Sequence, residues 1–353
     1  MTASRPAPAG SPRWHRVRAT GARLVGGVAG VLIVALAGCA TVSSPLPAAG
    51  RPLVVTVTPS PSAAPTPSAA GCTAENATTS LRPPRVLPAP GKMPAGSLMA
   101  TILANGYLRA GVLTDVPPFD YVDSSTGTSK LAGVDIDIAY QVASAIFGPS
   151  DPEGHVRFRA ITNAERISVI QDNEVDIVVA TMTVNCERRS EVDFSVPYYD
   201  AAAMVLVMAD SPYTSINDLG GRKVCAATGT TSLDHIRAAA SHPIAVAMTN
   251  VADCLVALQD GTVDAVSTDD TILDGMRQQD PNTKIVGTAL ATEPDAIAIS
   301  LDHPEMTRFV NGVLAKIEDP RNGTWMSIIR SHLGGVDPPL APLPAPPPAH
   351  YRD

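Results

Sequence analysis

The chain reads as an α/β protein, a mostly parallel sheet with helices on both faces, and three observations carry that reading. Short apolar runs suited to buried strands alternate with helical periodicity between about residues 95 and 333, the pattern that places parallel strands beneath crossover helices. The alternation reaches the apolar run Ala-Met-Val-Leu-Val-Met at 203–208 and then restarts; with 353 residues and 45% hydrophobic composition, this points to two globular units. The 33 prolines crowd into the two ends, so the globular part is shorter than the chain. A net charge of −8 argues against nucleic acid as a partner, since phosphate backbones are bound by clustered Lys and Arg.

Taken in order, residues 1–38 have the form of a signal peptide. Arg5, Arg13, Arg16, Arg18 and Arg23, with no acid among them, precede the apolar segment 24–37, which is short for a membrane span and right for a signal's hydrophobic region. The segment ends in Leu36-Ala37-Gly38-Cys39, which resembles the bacterial lipobox, where the cysteine becomes the lipidated first residue; an uncut transmembrane anchor is the alternative. With the five leader arginines gone, 21 basic residues face 34 acidic ones, a net of −13. A diacylated Cys39 would hold the chain at the outer face of a membrane by two acyl chains. Residues 39–94 are rich in Pro, Ala, Ser and Thr and are expected to form an extended, semi-rigid tether. Residues 334–353, again Pro-rich, are expected to be a disordered tail.

Between the ends, 108–112 is the first strand, followed by a Pro-Pro-Phe-Asp-Tyr loop at 117–121. A helix follows Gly133, with Ile138, Val142, Ala145 and Ile146 on one face and Gly148 closing it. Residues 164–172 read as another helix and 175–180 as a buried strand that leads into Thr181-Met182-Thr183-Val184-Asn185-Cys186-Glu187-Arg188. In open α/β sheets ligands bind beyond the carboxyl ends of strands, and this stretch offers hydroxyls, backbone amides and one arginine there, chemistry for gripping a small carboxylate. After the restart, 224–227 is a strand and Thr228-Gly229-Thr230-Thr231-Ser232 opens a helix, whose free N–H groups and dipole favour an anion; an ordinary Ser/Thr cap is the alternative. A helix at 251–261 precedes the strand 263–270, which ends in Asp269 and Asp270. The strand 296–300, a capping-box start at 302–305, and the stripe Met306, Phe309, Val310, Val313, Leu314 and Ile317 complete the unit; such a stripe is core.

Apart from Cys39, four cysteines remain, an even number for an oxidising compartment. Of three possible pairings, Cys225 with Cys254 is favoured because they bracket one strand-helix-strand-helix unit, leaving Cys72 with Cys186; buried free thiols are the alternative. The absence of Cys-x-x-Cys spacing and of paired histidines argues against a metal site, and no cofactor is expected.

Several fragments then line up in order: Gly106-Tyr107-Leu108-Arg109, Pro118-Phe119-Asp120-Tyr121, Gly133-Val134-Asp135-Ile136-Asp137, Thr183 to Arg188, Asp193-Phe194-Ser195, Gly229-Thr230-Thr231, Val263-Asp264-Ala265-Val266 and Gly323-Thr324-Trp325. Together they resemble family 3 of the extracellular solute-binding proteins, receptors for polar amino acids that serve ABC importers. The resemblance implies the two-lobed periplasmic-binding-protein fold of type II, with lobe 1 at 95–202 and 296–333, lobe 2 at 203–295, two crossover strands between them and a ligand cleft. Carried over, Arg188 would hold the ligand α-carboxylate by its planar fork, with Thr181, Thr183 and Thr230 or Thr231 completing the anion site and Asp269 receiving the α-ammonium. Arg166 would meet a side-chain carboxylate or amide, a solvated arginine on the helix surface being the alternative, and Phe119 and Tyr121 are candidates for an aromatic wall. Cys225 and Cys254 sit where actinobacterial glutamate-binding lipoproteins carry a cysteine pair.

The resemblance implies a monomeric, lipid-anchored receptor for glutamate or aspartate, or for glutamine or asparagine, with an ABC importer permease as partner. A transmembrane sensor protein is the alternative partner. An enzymatic alternative on the same fold is a dehydratase of cyclic acids with Glu165 as general acid; no Ser-His-Asp set, metal cluster or phosphate loop accompanies it, so no enzyme is expected.

Overall fold

The computed structural model describes residues 71–125, 127–334 and 344–353. The expected leader, the expected acylation site Cys39, the first part of the expected tether and residues 335–343 lie outside the described residues.

Two five-stranded sheets make the two lobes. In lobe 1 the strands Val156–Ala160, Leu108–Val112 and Ile177–Val178 run parallel, and Ala298–Ile299 and Asp193–Phe194 extend the sheet antiparallel. The helices Val134–Phe147, Pro304–Ile317 and Thr324–Leu333 cover one face, burying Ile138, Val142, Phe309, Leu314 and Trp325 in one core. In lobe 2 the strands Ile244–Met248, Lys223–Ala227 and Ala265–Asp269 are parallel, and the long strands Tyr199–Met208 and Thr283–Asp295 complete the sheet antiparallel. No helix among the described residues is long and apolar enough to cross a membrane.

The two long strands are also the connections between lobes. They pair from Tyr199 opposite Asp295 to Met208 opposite Thr283, with an irregularity between Val286 and Ala291. At the lobe 1 end the Tyr198 N–H donates to the Asp295 carbonyl at 2.9 Å, and Asp295 bridges Thr183. Two connections of this kind leave hinge motion as the soft degree of freedom. One apolar cluster crosses the boundary, joining Leu113, Val116 and Met182 to Leu206, Val266 and Ile272, so the lobes here are closed on each other.

Local sequence explains where elements depart from expectation. The helix expected at 164–172 is broken: a 3-10 turn at Asn163–Glu165 is fixed by a capping box in which the Thr162 N–H and hydroxyl both donate to Glu165 at 2.8 Å, and a separate turn of helix follows at Ser168–Gln171. The strand expected at 175–180 shortens to Ile177–Val178 because the chain swings away at Thr181, whose φ is +40°.

The described ends of the chain are ordered, which corrects the tether and tail expectations over those residues. Strand Ser80–Leu81 pairs in parallel with Tyr351–Arg352, the Ser80 hydroxyl donates to the Phe194 carbonyl at 2.6 Å, and the buried Asn311 amide donates to Ser80 Oγ and the Leu81 carbonyl at 2.8 and 2.7 Å. The Arg189 guanidinium donates to the Ala77 carbonyl, and Cys72 is disulfide-bonded to Cys186 across 114 residues. Cys225 and Cys254 form the second disulfide, inside lobe 2. Proline spacing forbids helix and central strand, but it does not forbid an extended segment held by donors from the globular core.

Candidate ligand-binding site between the lobes

The lobe 1 half of the cleft is the turn after Ile177–Val178. Thr181 is a β-branched residue at positive φ, a conformation costing on the order of 1–3 kcal/mol that persists only when its surroundings impose it. Here its N–H donates to Asp135 Oδ2 at 2.8 Å and its carbonyl accepts from Arg166 Nη1 at 3.0 Å. Arg166 also donates to the carbonyls of Asn163 and Ala180, both at 3.0 Å. Asp135 in turn accepts the Tyr198 hydroxyl at 2.7 Å. Beside it, burial first and the Asp135 charge second push the Asp120 carboxyl well above its usual range. Asp135, accepting both the Thr181 N–H and the Tyr198 hydroxyl, anchors the turn from beneath.

Arg188 follows on the same turn, with its N–H held by Asn185 Oδ1 at 2.8 Å and its guanidinium donating to the Thr183 carbonyl at 2.6 Å. Both arginines reach across the cleft: Arg188 Nη2 and Arg166 Nη2 each donate to the Gly229 carbonyl of lobe 2 at 3.1 Å. Burial and the neighbouring Arg188 charge lower the Arg166 guanidinium to about 9, and burial lowers Arg188 as well; both stay cationic at neutral pH.

The lobe 2 half is the N-terminus of the helix Thr231–Ala238 and the end of the strand Ala265–Asp269. The Thr230 hydroxyl is committed to the cap, accepting the Leu233 N–H at 3.3 Å and donating to the Ala227 carbonyl at 2.7 Å. Thr231 Oγ1 donates to Glu293 at 2.7 Å and lies 3.4 Å from Thr183 Oγ1. Glu293 also meets His235 Nε2 at 2.6 Å; these partners outweigh burial and hold its carboxyl below the usual range, while His235 is raised by the same contact. Asp269 is buried, and burial followed by the charges of Glu293 and Asp270 pushes its carboxyl up to about 8.

Arg166, Thr181, Thr183, Thr230, Thr231 and Asp269 thus line one small cavity of about 10 Å³, and Arg188 lies with Arg166, Gly229, Thr230 and Thr231 around a second cavity of about 220 Å³ that shares Arg166, Thr230 and Thr231 with it. The inner space is room for about one water, so an amino acid enters only when the lobes part. A larger cavity of about 550 Å³ lies elsewhere, between the Ala74–Thr78 arm, the Pro347–His350 segment and the crossover strands.

Two expected site residues do not belong to the cleft. Phe119 is sealed in the lobe 1 core, edge-to-face on Tyr199 at 5.1 Å, because its loop folds inward. Tyr121 lies on the outer hairpin between Asp115–Val116 and Lys130–Ala132; neither residue lines the cleft cavities. Glu165 is used up in its capping box, whose donors lower its carboxyl, the reverse of what a general acid needs. Three acids that sequence reasoning missed do stand at the boundary: Asp115, Glu293 and Asp295. A signal was present for the last two, charged residues immediately before an apolar return strand.

Residues 108–335 match the family described as bacterial extracellular solute-binding proteins, family 3. The chain belongs to this family. Among family 3 relatives, the ABC transporter glutamine-binding protein GlnH of Bacillus subtilis (strain 168) is 36% identical over 221 residues, covering 62% of this chain and 79% of that protein. The glutamate-binding protein GluB of Corynebacterium efficiens is 28% identical over 260 residues, covering 70% and 86%. A solved structure described as an ancestral arginine-binding protein bound to glutamine matches with a TM-score of 0.59 at 31% identity, over 65% of this chain and 98% of that one. The family 3 match begins at residue 108, so the ordered N-terminal arm and the terminal strand lie outside it.

Proposed function

We propose that this chain is an extracytoplasmic receptor, anchored through lipidated Cys39, that closes on one polar amino acid of the glutamate–glutamine group and presents it to an ABC importer. One observation carries the reading: the buried cation Arg188 and the buried acid Asp269 stand on different lobes of one cleft. A zwitterion supplies one group to each. Its carboxylate takes the place of the Gly229 carbonyl on the Arg188 fork as a charge-assisted pair, supported by the N-terminus of the helix Thr231–Ala238. Its ammonium goes to Asp269. A ligand that touches both lobes binds the closed form better than the open one, which is what closure requires. The similarity to an ABC transporter glutamine-binding protein supports the ligand class and the importer, and the similarity to a glutamate-binding protein supports the ligand class.

The test is calorimetry with the twenty amino acids. Arg188→Ala is expected to abolish measurable binding of the best ligand while the circular dichroism spectrum is kept. Unchanged affinity would remove Arg188 from the site.

A further inference from the structure

Asp295 ends the crossover strand Thr283–Asp295 and is fully buried, with neither carboxylate oxygen meeting a donor. It pairs across antiparallel backbone with Thr183 on one side and Tyr199 on the other. Directly opposed residues in such a ladder carry their side chains on one face. Thr183 lines the cleft cavity, so Asp295 stands on the same side of the ladder as that cavity, itself fully buried and not among the residues that line it in this closed form. Buried carboxyls are ordinarily met by donors, and the charged neighbours here are: Arg166 and Arg188 by carbonyls, Glu293 by Thr231 and His235, Asp135 by Thr181 and Tyr198.

We infer that Asp295 reads the ligand's side chain and selects an amino acid whose side chain ends in N–H donors, an amide or a guanidinium, over one that ends in a carboxylate. This rests on the amino-acid reading above. The α-carboxylate and α-ammonium have their own partners in Arg188 and Asp269, which leaves Asp295 for the rest of the molecule. Arg166 is committed elsewhere, since three main-chain carbonyls of its own lobe, those of Asn163, Ala180 and Thr181, hold its guanidinium whether or not Gly229 is displaced. A second ligand carboxylate would lie among Asp269, Glu293 and Asp295, whose mutual repulsion already helps burial hold the Asp295 carboxyl well above its usual range. A neutral carboxyl has one donor and one acceptor edge, the complement of a primary amide. A guanidinium instead meets the ionised form in a fork-to-fork pair.

The experiment is calorimetry of the full chain with L-glutamine, L-asparagine, L-arginine, L-glutamate and L-aspartate, on the unsubstituted protein and on Asp295→Leu and Asp295→Asn. The best of the three N–H-bearing ligands should bind at least roughly tenfold tighter than either acid, the discrimination expected from one satisfied hydrogen bond to a buried charged or polar group. Asp295→Leu should remove that preference while changing glutamate affinity by less than about threefold. Asp295→Asn covers the case in which Leu does not fold: it should weaken arginine at least about tenfold and glutamine by less than about threefold, the loss being larger where the charge is used. Preference for glutamate or aspartate, or an Asp295→Asn that weakens all five ligands equally, overturns the inference and leaves the receptor reading standing. If none of the amino acids binds, it is the receptor reading that fails.

Discussion

Asp115 of lobe 1 accepts the main-chain N–H of Ala252 at 3.0 Å, and that amide lies in the first turn of the lobe 2 helix Val251–Gln259. The helix's own cap residue, Asn250, makes no side-chain cap bond and instead donates to Asp253 at 3.1 Å. The helix is therefore capped in trans, by an acid at the positive end of its dipole, and the bond exists only while the lobes are together.

Asp115→Ala should weaken closure without harming either lobe. The lost cap is worth about 1 kcal/mol, so amino-acid affinity by calorimetry should fall roughly fivefold. Asp115→Asn, which keeps an acceptor, should recover most of it. An Ala variant with unchanged affinity would show that Asp115 does not latch the closed form.

Gly229 has φ +80°, and a Cβ there would come within 2.8 Å of Ala164 Cα on the other lobe. Gly229→Ala should lower affinity at least roughly tenfold, because the clash with lobe 1 arises only on closing, while the backbone strain of about 1–2 kcal/mol is borne by both forms. Gly221→Ala is the control: φ is +69° and nothing lies within 4 Å. It should cost similar thermal stability and leave affinity within about twofold, as expected of a site remote from the cleft.

Binding should release a proton from Asp269. Burial, then Glu293 and Asp270, hold its carboxyl up at about 8 against the opposing charges of Arg166 and Arg188. The ligand ammonium needs the ionised form, so the ligand-bound pKa lies lower than the free one. Affinity is then fully developed above about 8 and falls as the pH drops through the window beneath it, by at most about tenfold per pH unit. Calorimetry at pH 6, 7 and 8 in two buffers of different ionisation heat measures both effects. Flat affinity with no buffer dependence would take Asp269 out of the ammonium site.

The two disulfides should contribute unequally to stability. Cys72–Cys186 closes 114 residues and Cys225–Cys254 closes 29, and in the chain-entropy account the longer loop gives about 1 kcal/mol more. Replacing Cys72 and Cys186 by Ser should lower the melting temperature more than replacing Cys225 and Cys254, as scanning calorimetry can measure. The reverse order would show that native packing rather than loop length decides.

Much of the cleft was legible because strand ends and helix starts leave local marks. The apolar run before Thr181, the small residues around Gly229 and the acids after 263–268 each pointed to one half of the site, and the sheet topology brought them together. Features made by distant pairing left no such mark. Two-residue strands such as Ser80–Leu81 and Tyr351–Arg352 have no periodicity to read, and Asp115 became visible only once Ala252 stood opposite it. Phe119 was misplaced because an aromatic in a polar loop can turn either way. Thr230 lines the cleft cavity, but its hydroxyl is committed to the helix cap, which the sequence alone does not reveal.

The pairing of Ser80–Leu81 with Tyr351–Arg352 fastens both described ends of the chain to one body. Ser80 is tied to Phe194 and Asn311, Cys72 to Cys186 and Arg352 to Asp193, all in lobe 1. Lobe 1 is thus the stator of the machine and lobe 2, hung on two strands, its rotor. A load applied to either described end enters lobe 1 without crossing the hinge, so the closing equilibrium is insulated from tension on the chain.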